Sequence, residues 1–344
     1  MKSTDLSFLV LGAGAVGGIT AALLKKRGYN VEIVCKYDDY ASLISDQGIE
    51  INGVFGHLAV RVPAYASVSE IKERKDVILH ATKANDLAEA AKSAIPLLKE
   101  NGSFVSMQNG LCEDELAAIA GRERVIGCVT GWGATMESKG VLNMTSTGDF
   151  ILGYPGKEPD EFLQTVAEAL SAIVPVRTTG NITGHKYSKL IINSCITSLG
   201  AICGLYLGKM LSIRKVRKIF IEIIREAIVL ADKMQIKVEI FGGKLDFRKF
   251  IRGDDRYSIL KRHLIIRIIG FRYRKLKSSS LQSLERGKPT EIDYLNGYIV
   301  RNGLKRGLSV PVNTAIVNMV HEIEAGKRKI TADNFNDPVF DRFN

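Results

Sequence analysis

Within residues 185–197, Lys189, Asn193 and Thr197 recur at i, i+4 and i+8, so a helix through this stretch stacks all three on one face. Leu190, Ile191, Ile192 and Ile196 lie between them and are apolar enough to bury most of such a helix. A lysine on a largely buried face is costly unless its charge is paired or put to use. Its ammonium offers a positive charge and hydrogen-bond donors, here beside an amide and a hydroxyl that both donate and accept. The plain alternative is a snorkelling lysine next to two hydrogen-bonded core polars, and on this stretch alone that account is the better one. The rest of the chain decides between them.

A second chemistry is written near the N-terminus. Ser7-Phe8-Leu9-Val10-Leu11 is a short apolar strand that runs into Gly12-Ala13-Gly14-Ala15-Val16-Gly17-Gly18, and an alanine- and leucine-rich helix follows to about Arg27. GxGxxG between a strand and a helix is the context in which this motif binds a dinucleotide. Gly12 permits the tight turn, Gly14 lets a pyrophosphate approach the backbone, and Gly17 lets the helix pack closely; the N–H groups of Ala13, Ala15 and Val16 belong to the same cradle. The next strand, Val31-Glu32-Ile33-Val34-Cys35, ends at Lys36. An acidic residue there selects the ribose hydroxyls of NAD, whereas a cation accommodates a 2′-phosphate, so Lys36 favours NADP(H). Asp38 and Asp39 follow at once and pull the other way.

These groups need a scaffold. Residues 76–82 and 102–107 read as buried strands that end in Lys83 and in Gln108-Asn109-Gly110, with a helix from about residue 86 to 99 between them. Ligands of doubly wound sheets bind beyond the carboxyl ends of the strands, which places Lys83 and Asn109 where a site would be. Further strands are expected at 124–129 and 148–153, with glycine-rich turns at 131–140 and a helix at 161–173. The expected organisation is an α/β chain: a Rossmann-type doubly wound sheet over residues 1–180, an all-helical domain over 181–335, and a loosely ordered tail at 336–344. Helical periodicity dominates the second half, over 218–234 and again over 258–277. Glu291 opens an apolar helix there, beyond a turn at Arg286-Gly287-Lys288-Pro289.

Composition narrows the class. The 344 residues, 46% hydrophobic and 25% charged, suit a globular protein of about two domains. The sequence shows no signal-peptide pattern and no long apolar run, and the five cysteines have no metal-ligand spacing; a cytoplasmic protein with reduced thiols and no bound metal is expected. Residues 244–277 hold twelve Lys or Arg against three Asp, an excess of +9 in a chain of net charge +11. A solvated face is the first reading of that block, and an amphipathic helix on a membrane surface a lesser one. A nucleic-acid binder would call for interleaved exposed aromatics or a known motif; the sequence is read as offering neither, and no nucleic-acid partner is expected.

Taken in order, the glycine loop, Thr82-Lys83-Ala84, Gln108-Asn109-Gly110, Lys189-x-x-x-Asn193, Ser278-Ser279 with Leu281-Gln282, Thr290-Glu291-Ile292-Asp293 and Val310-Pro311 resemble the ketopantoate reductase family across nearly the whole chain. The resemblance implies NADPH-dependent reduction of a 2-keto acid to a 2-hydroxy acid in a cleft. It implies that Lys189 is the general acid, that Glu291 binds a substrate hydroxyl, that Asn193 and Ser279 hold the substrate, and that Lys83 and Asn109 lie around cofactor and substrate. Thr197 stands where members of the family often carry a second asparagine, and Ser283 where an aspartate is common. Thr197 still donates and accepts, with a shorter reach, and is counted with the substrate-binding set. A homodimer is compatible with this reading. Three functions follow: a ketopantoate reductase, a reductase of a different 2-keto acid, and a non-catalytic NADPH-binding sensor. The sensor would be expected to have lost Lys189 or Glu291, and both are present.

Overall fold

The computed structural model describes residues 2–54 and 56–343. The chain divides into two compact units, Met1–Lys186 and Tyr187–Asn344. In the first, β1 (Ser7–Leu11), β2 (Asn30–Val34), β3 (Ile49–Gly53), β4 (Leu58–Val60), β5 (Ala64–Tyr65), β6 (Lys75–His80), β7 (Leu98–Ser106), β8 (Val125–Thr130), β9 (Gly133–Ser138), β10 (Val141–Ser146), β11 (Phe150–Gly153) and β12 (Val176–Thr178) form two sheets. The larger runs β12-β11-β8-β7-β6-β1-β2-β5 and is parallel except between β8 and β11. Its helices are α1 (Ala15–Lys26), α2 (Asp38–Asp46), α3 (Leu87–Ala94), α4 (Glu113–Ala120) and α5 (Glu161–Leu170).

The strand sequences explain the parallel sheet. Every residue of β1 is buried, as an apolar run covered on both faces by crossover helices must be. Phe8, Val10, Ile33, Val77, Leu79, Val105 and Ile126 are all fully buried in one core. The strand order reverses at β1, between β2 and β6, which makes the carboxyl end of β1 the switch point of the fold.

Two sequence expectations differ here. The helix expected over 86–99 stops at Ala94, a 3-10 turn follows at Ile95–Leu97, and β7 begins at Leu98. Pro96 lacks the N–H that would continue the helical ladder. Within the glycine-rich turns expected at 131–140, Gly133–Ser138 form β9, and the turn at Lys139–Gly140 leads into β10; both strands join β3 and β4 in a second sheet, β4-β3-β10-β9.

The second unit is helical. The boundary falls inside α6 (Ile182–Cys203), a little after the residue 180 expected from sequence. It is followed by α7 (Leu207–Ser212), α8 (Arg214–Lys233), α9 (Phe247–Ile251), α10 (Arg256–Arg272), α11 (Ser279–Glu285), α12 (Asn296–Leu304) and α13 (Pro311–Glu324). Helix α8 buries Val216, Ile219, Phe220, Ile223, Ile224 and Ala227, a stripe at helical spacing. The segment expected as a loose tail includes a 3-10 helix, Pro338–Phe343, whose Phe340 is fully buried beside Phe335. An aromatic side chain with a core slot to fill anchors a terminus that polar composition alone would leave loose.

One steric contact sets the geometry at the switch point. A Cβ built on Gly17 would stand 2.0 Å from the Gly12 carbonyl oxygen and 2.9 Å from the Ala81 Cβ, while one on Gly14 would meet nothing within 4 Å. Gly17→Ala should therefore cost about 1–3 kcal/mol or more by overpacking, and Gly14→Ala less than about 1 kcal/mol. Urea midpoints of the two variants against the parent check this, and equal losses would remove the steric account.

Candidate functional site

The loop after β1 is held from three sides. The Gly12 N–H donates to the Val34 carbonyl at the end of β2 (2.9 Å), and the Ala81 N–H donates to the Leu11 carbonyl from beyond β6 (2.9 Å). Gly12 itself has φ +99° and approaches Thr82 so closely that a Cβ would lie 2.9 Å from its nitrogen. The buried hydroxyl of Tyr40, from α2, donates to the Ala13 carbonyl at 2.8 Å, and burial pushes that phenol up to about 12. Gly14 caps α1 in an extended conformation and faces open space. The first N–H groups of α1 have no carbonyl one turn back, so an anion over Gly14 would meet donors and the positive end of the helix. These residues fit the pyrophosphate of a dinucleotide.

Lys36 lies just past β2, largely exposed, with its ammonium 3.8 Å from Asp86 Oδ1. The two aspartates that weaken the case for a 2′-phosphate are not equivalent. Asp39 is paired with Lys139, and that hydrogen-bonded ammonium lowers its pKa.

Beneath the carboxyl ends of β6 and β7 lies a buried polar network. The Nε2 of His80 faces the Leu87 carbonyl at 3.2 Å and must carry the ring proton; its Nδ1 faces the Gln108 amide nitrogen and must accept. Both ring nitrogens are thus satisfied in the neutral form, and burial lowers the pKa from 6.5 to about 4. Ser106 donates to Gln108 Oε1 at 3.1 Å. The Lys186 ammonium reaches Ser106 Oγ (3.4 Å) and the Gln108 carbonyl (3.3 Å), and forms a buried ion pair with Glu113 at the start of α4. This fixes the turn in which Asn109 is half-buried and Gly110 takes φ +84°. Lys83 is exposed just past the carboxyl end of the neighbouring parallel strand β6, at the same end of the sheet. Removing one partner of such a pair leaves a buried charge, at a cost of about 3–5 kcal/mol.

In the second unit, Tyr187–Cys203 of α6 is buried except at Lys189, Asn193 and Ile196. Lys189 and Asn193 are therefore the polar residues of this stretch that keep some exposure, and Thr183 and His185 are half-buried nearer the start of the helix. Thr197 is buried, and its hydroxyl donates to the Asn193 carbonyl at 2.8 Å, within the helix. Ser279 is the exposed first residue of α11; its neighbour Ser278 caps that helix by accepting from the Leu281 N–H (3.2 Å). Ser278 packs against α6, where a Cβ on Gly200 would stand 2.6 Å from its Oγ. Glu291 is buried and precedes a 3-10 turn, Ile292–Tyr294, to which its side chain makes no capping bond; α12 begins only at Asn296. It is thus not the first-turn helix carboxylate that its sequence context implied.

A buried chain of hydrogen bonds fixes α6 in this unit. Glu226 of α8 accepts from the Val312 and Asn313 N–H groups (2.9 Å each) and from Asn313 Nδ2 (2.7 Å), so it caps α13. Asn313 Oδ1 accepts from Asn296 Nδ2 (2.9 Å), which also donates to the Ser194 carbonyl (3.2 Å), and Ser198 donates to Asn296 Oδ1. Sequence reasoning missed Tyr40, His80, Lys186, Glu113, Glu226, Asn296 and Asn313. Their partners lie far along the chain, and only the adjacency of Lys186 to Lys189 and of His80 to Thr82-Lys83 offered a signal.

A glycine loop at the switch point of a mostly parallel sheet, followed by a helical unit, defines a Rossmann-type fold of the NAD(P)-binding kind. The profile described as "Ketopantoate reductase PanE/ApbA" matches residues 8–157, and that of its C-terminal domain matches residues 181–324. The chain belongs to the ketopantoate reductase family and is an oxidoreductase. It is 29% identical to the 2-dehydropantoate 2-reductase of Pyrococcus abyssi over 93% of this chain and 98% of that one. A solved ketopantoate reductase from Ralstonia eutropha superposes with a TM-score of 0.80 at 27% identity, covering 94% of this chain and 99% of that one. D-mandelate dehydrogenase, solved with NADH and anilino(oxo)acetate, shares the fold at a TM-score of 0.80 and 22% identity, over 94% of this chain and 100% of that one.

The His80 network yields a pH dependence. The unfolded chain takes up a proton near pH 6.5 that the folded ring refuses until about pH 4, so stability falls as pH drops through that window. The full loss is roughly 3 kcal/mol. His80→Gln should remove this share of the slope, read from urea midpoints of parent and variant across the same window. Identical slopes would mean that His80 is not neutral in the fold.

Proposed function

We propose that the chain reduces 2-dehydropantoate (ketopantoate) to pantoate with NADPH, a step of pantothenate and coenzyme A biosynthesis. The observation that carries the reading is the α6 stripe: within Tyr187–Cys203, which is otherwise buried except at Ile196, Lys189 and Asn193 stand half-exposed one turn apart. When bound, NADPH supplies the hydride. Gly14 and the first turn of α1 take its pyrophosphate, and Lys36 pairs with its 2′-phosphate. Reduction builds negative charge on the carbonyl oxygen of the substrate. Lys189 gives that oxygen a proton and becomes neutral, a general-acid contribution of about 10²–10⁴ in rate, or roughly 3–5 kcal/mol. Asn193 and Ser279 donate to the substrate carboxylate, Glu291 accepts from its C4 hydroxyl, and Lys83 and Asn109 line cofactor and substrate.

A second reading, reduction of a different 2-keto acid, is favoured by one observation. The Thr197 hydroxyl already donates within its own helix, at a position where an asparagine would offer a longer reach. The fold does not choose between the two acids, since D-mandelate dehydrogenase shares it, nor does it choose between NADPH and NADH.

NADPH and NADH oxidation by the purified protein against a small panel of 2-keto acids tests the proposal. Lys189→Ala should lower kcat at least about a hundredfold while NADPH affinity changes little. Near-normal turnover would return Lys189 to a structural role. Glu291→Gln should cost roughly one to two orders of magnitude in kcat/KM with ketopantoate, and much less with 2-ketoisovalerate, which lacks the hydroxyl. Equal losses on both, or equal use of both by the parent, would put the second reading first.

A further inference from the structure

Helix α10 carries apolar residues on two opposite faces, the inner one also holding the buried Arg262, which donates to the Ile251 carbonyl (2.9 Å). Its inner face holds Ile266 and Gly270, and a Cβ on Gly270 would lie 2.9 Å from that of Leu211 in α7. Its outer face carries Tyr257, Leu260, Leu264, Ile268 and Phe271, which are 74%, 68%, 56%, 57% and 71% exposed. At one residue per 100°, these five side chains fall within an arc of about 80°. Exposed cations line both edges of the arc, Arg256 and Arg267 along one and Lys261 and Arg272 along the other. Just past the helix Tyr273 and Leu276 are exposed as well; Arg272 lies 5.6 Å from the Tyr273 ring centroid and Arg274 lies 5.1 Å from that of Phe271. Residues 256–277 contain no Asp or Glu. Of the three aspartates just before them, Asp246 caps α9, Asp254 pairs with Arg225 (3.2 Å) and with the buried Arg262 of α10 (3.7 Å), and Asp255 caps α10.

We propose that the outer face of α10 docks on an anionic lipid bilayer. An apolar stripe edged by Lys and Arg, with tyrosines among the apolar side chains, suits the boundary between headgroups and acyl chains. Charge selects the occupant. A second copy of this face would set one array of cations against another, whereas anionic headgroups neutralise both edges while the stripe enters the acyl boundary. Among the described residues no helix is long and apolar enough to cross a membrane, so the contact is at the surface.

The test is co-sedimentation of the intact protein with vesicles of phosphatidylcholine alone and of phosphatidylcholine mixed with phosphatidylglycerol. Binding is expected to the mixed vesicles only, weakening as salt is raised. Lys261→Gln and Arg267→Gln should each weaken it about fivefold. Leu264→Ser with Phe271→Ser should weaken it at least about tenfold, with thermal unfolding unchanged because both side chains are exposed. Absence of binding, or equal binding to both vesicle types, would overturn the proposal. So would a protein that ignores vesicles but elutes as a dimer which the Leu264→Ser, Phe271→Ser variant converts to a monomer, since a second copy would then be the occupant.

Discussion

The first unit turns on a place where no side chain is permitted. The Gly12 carbonyl oxygen occupies the space that a Cβ on Gly17 would need. Helix α1 can therefore sit directly on the end of β1, and its first turn is brought to the point where the strand order reverses. Gly12 accepts a left-handed backbone as part of the same arrangement. The bonds from Gly12 to β2, from Ala81 to β1 and from Tyr40 to Ala13 then hold a loop that would otherwise be free to close over its own donors. What remains open is the space over Gly14, and a site for an anion is what this packing leaves behind.

Both units fix their functional segments with buried polar groups, and they do so against the cost of desolvation. Glu226 shows the balance. Burial is the largest influence on its carboxyl and raises the pKa, even though three hydrogen-bond donors act to lower it. An apolar residue would avoid that cost but would leave the first N–H groups of α13 buried without partners, a loss of about 1–3 kcal/mol for each. The Lys186–Glu113 pair works on the same terms within the first unit. Such networks add little net stability over apolar packing, yet they specify one arrangement where close-packed aliphatic side chains would tolerate several.

Much of this was legible in the sequence where the signal was local. The phase of α6 could be read because polar residues interrupt a run of isoleucines at helical spacing, and the glycine loop because its flanks have the right periodicity. Neighbours in space but not in sequence stayed hidden. The second sheet is built from half-buried strands such as β9, whose Gly, Ala and Thr read as turns until β3 and β10 supply their partners. Helical spacing places Thr197 on the face of Lys189 and Asn193, but it does not show that its hydroxyl donates back to the carbonyl four residues earlier, as a threonine in a helix can. The environment of Glu291 could not be inferred because the element it opens is a 3-10 turn with no periodicity to read. The burial of Phe340 depends on a core that the tail's own sequence does not contain.

Helix α10 shows the same limit from another side. Counted along the chain, its cations describe a solvated block, and its apolar residues, spread over two opposite faces, do not point in one direction. Burial separates the faces: Ile266 and Gly270 are used by the fold, whereas Leu260, Leu264 and Phe271 are not. Leaving a large apolar side chain in water forgoes roughly 1.5–3 kcal/mol of burial, and a helix whose outer face served only to stay solvated would be as stable with polar residues there. Single exposed apolar residues need no explanation, but a contiguous set does. The excess charge of residues 244–277 and the stripe that its cations border are therefore better understood as one feature than as two.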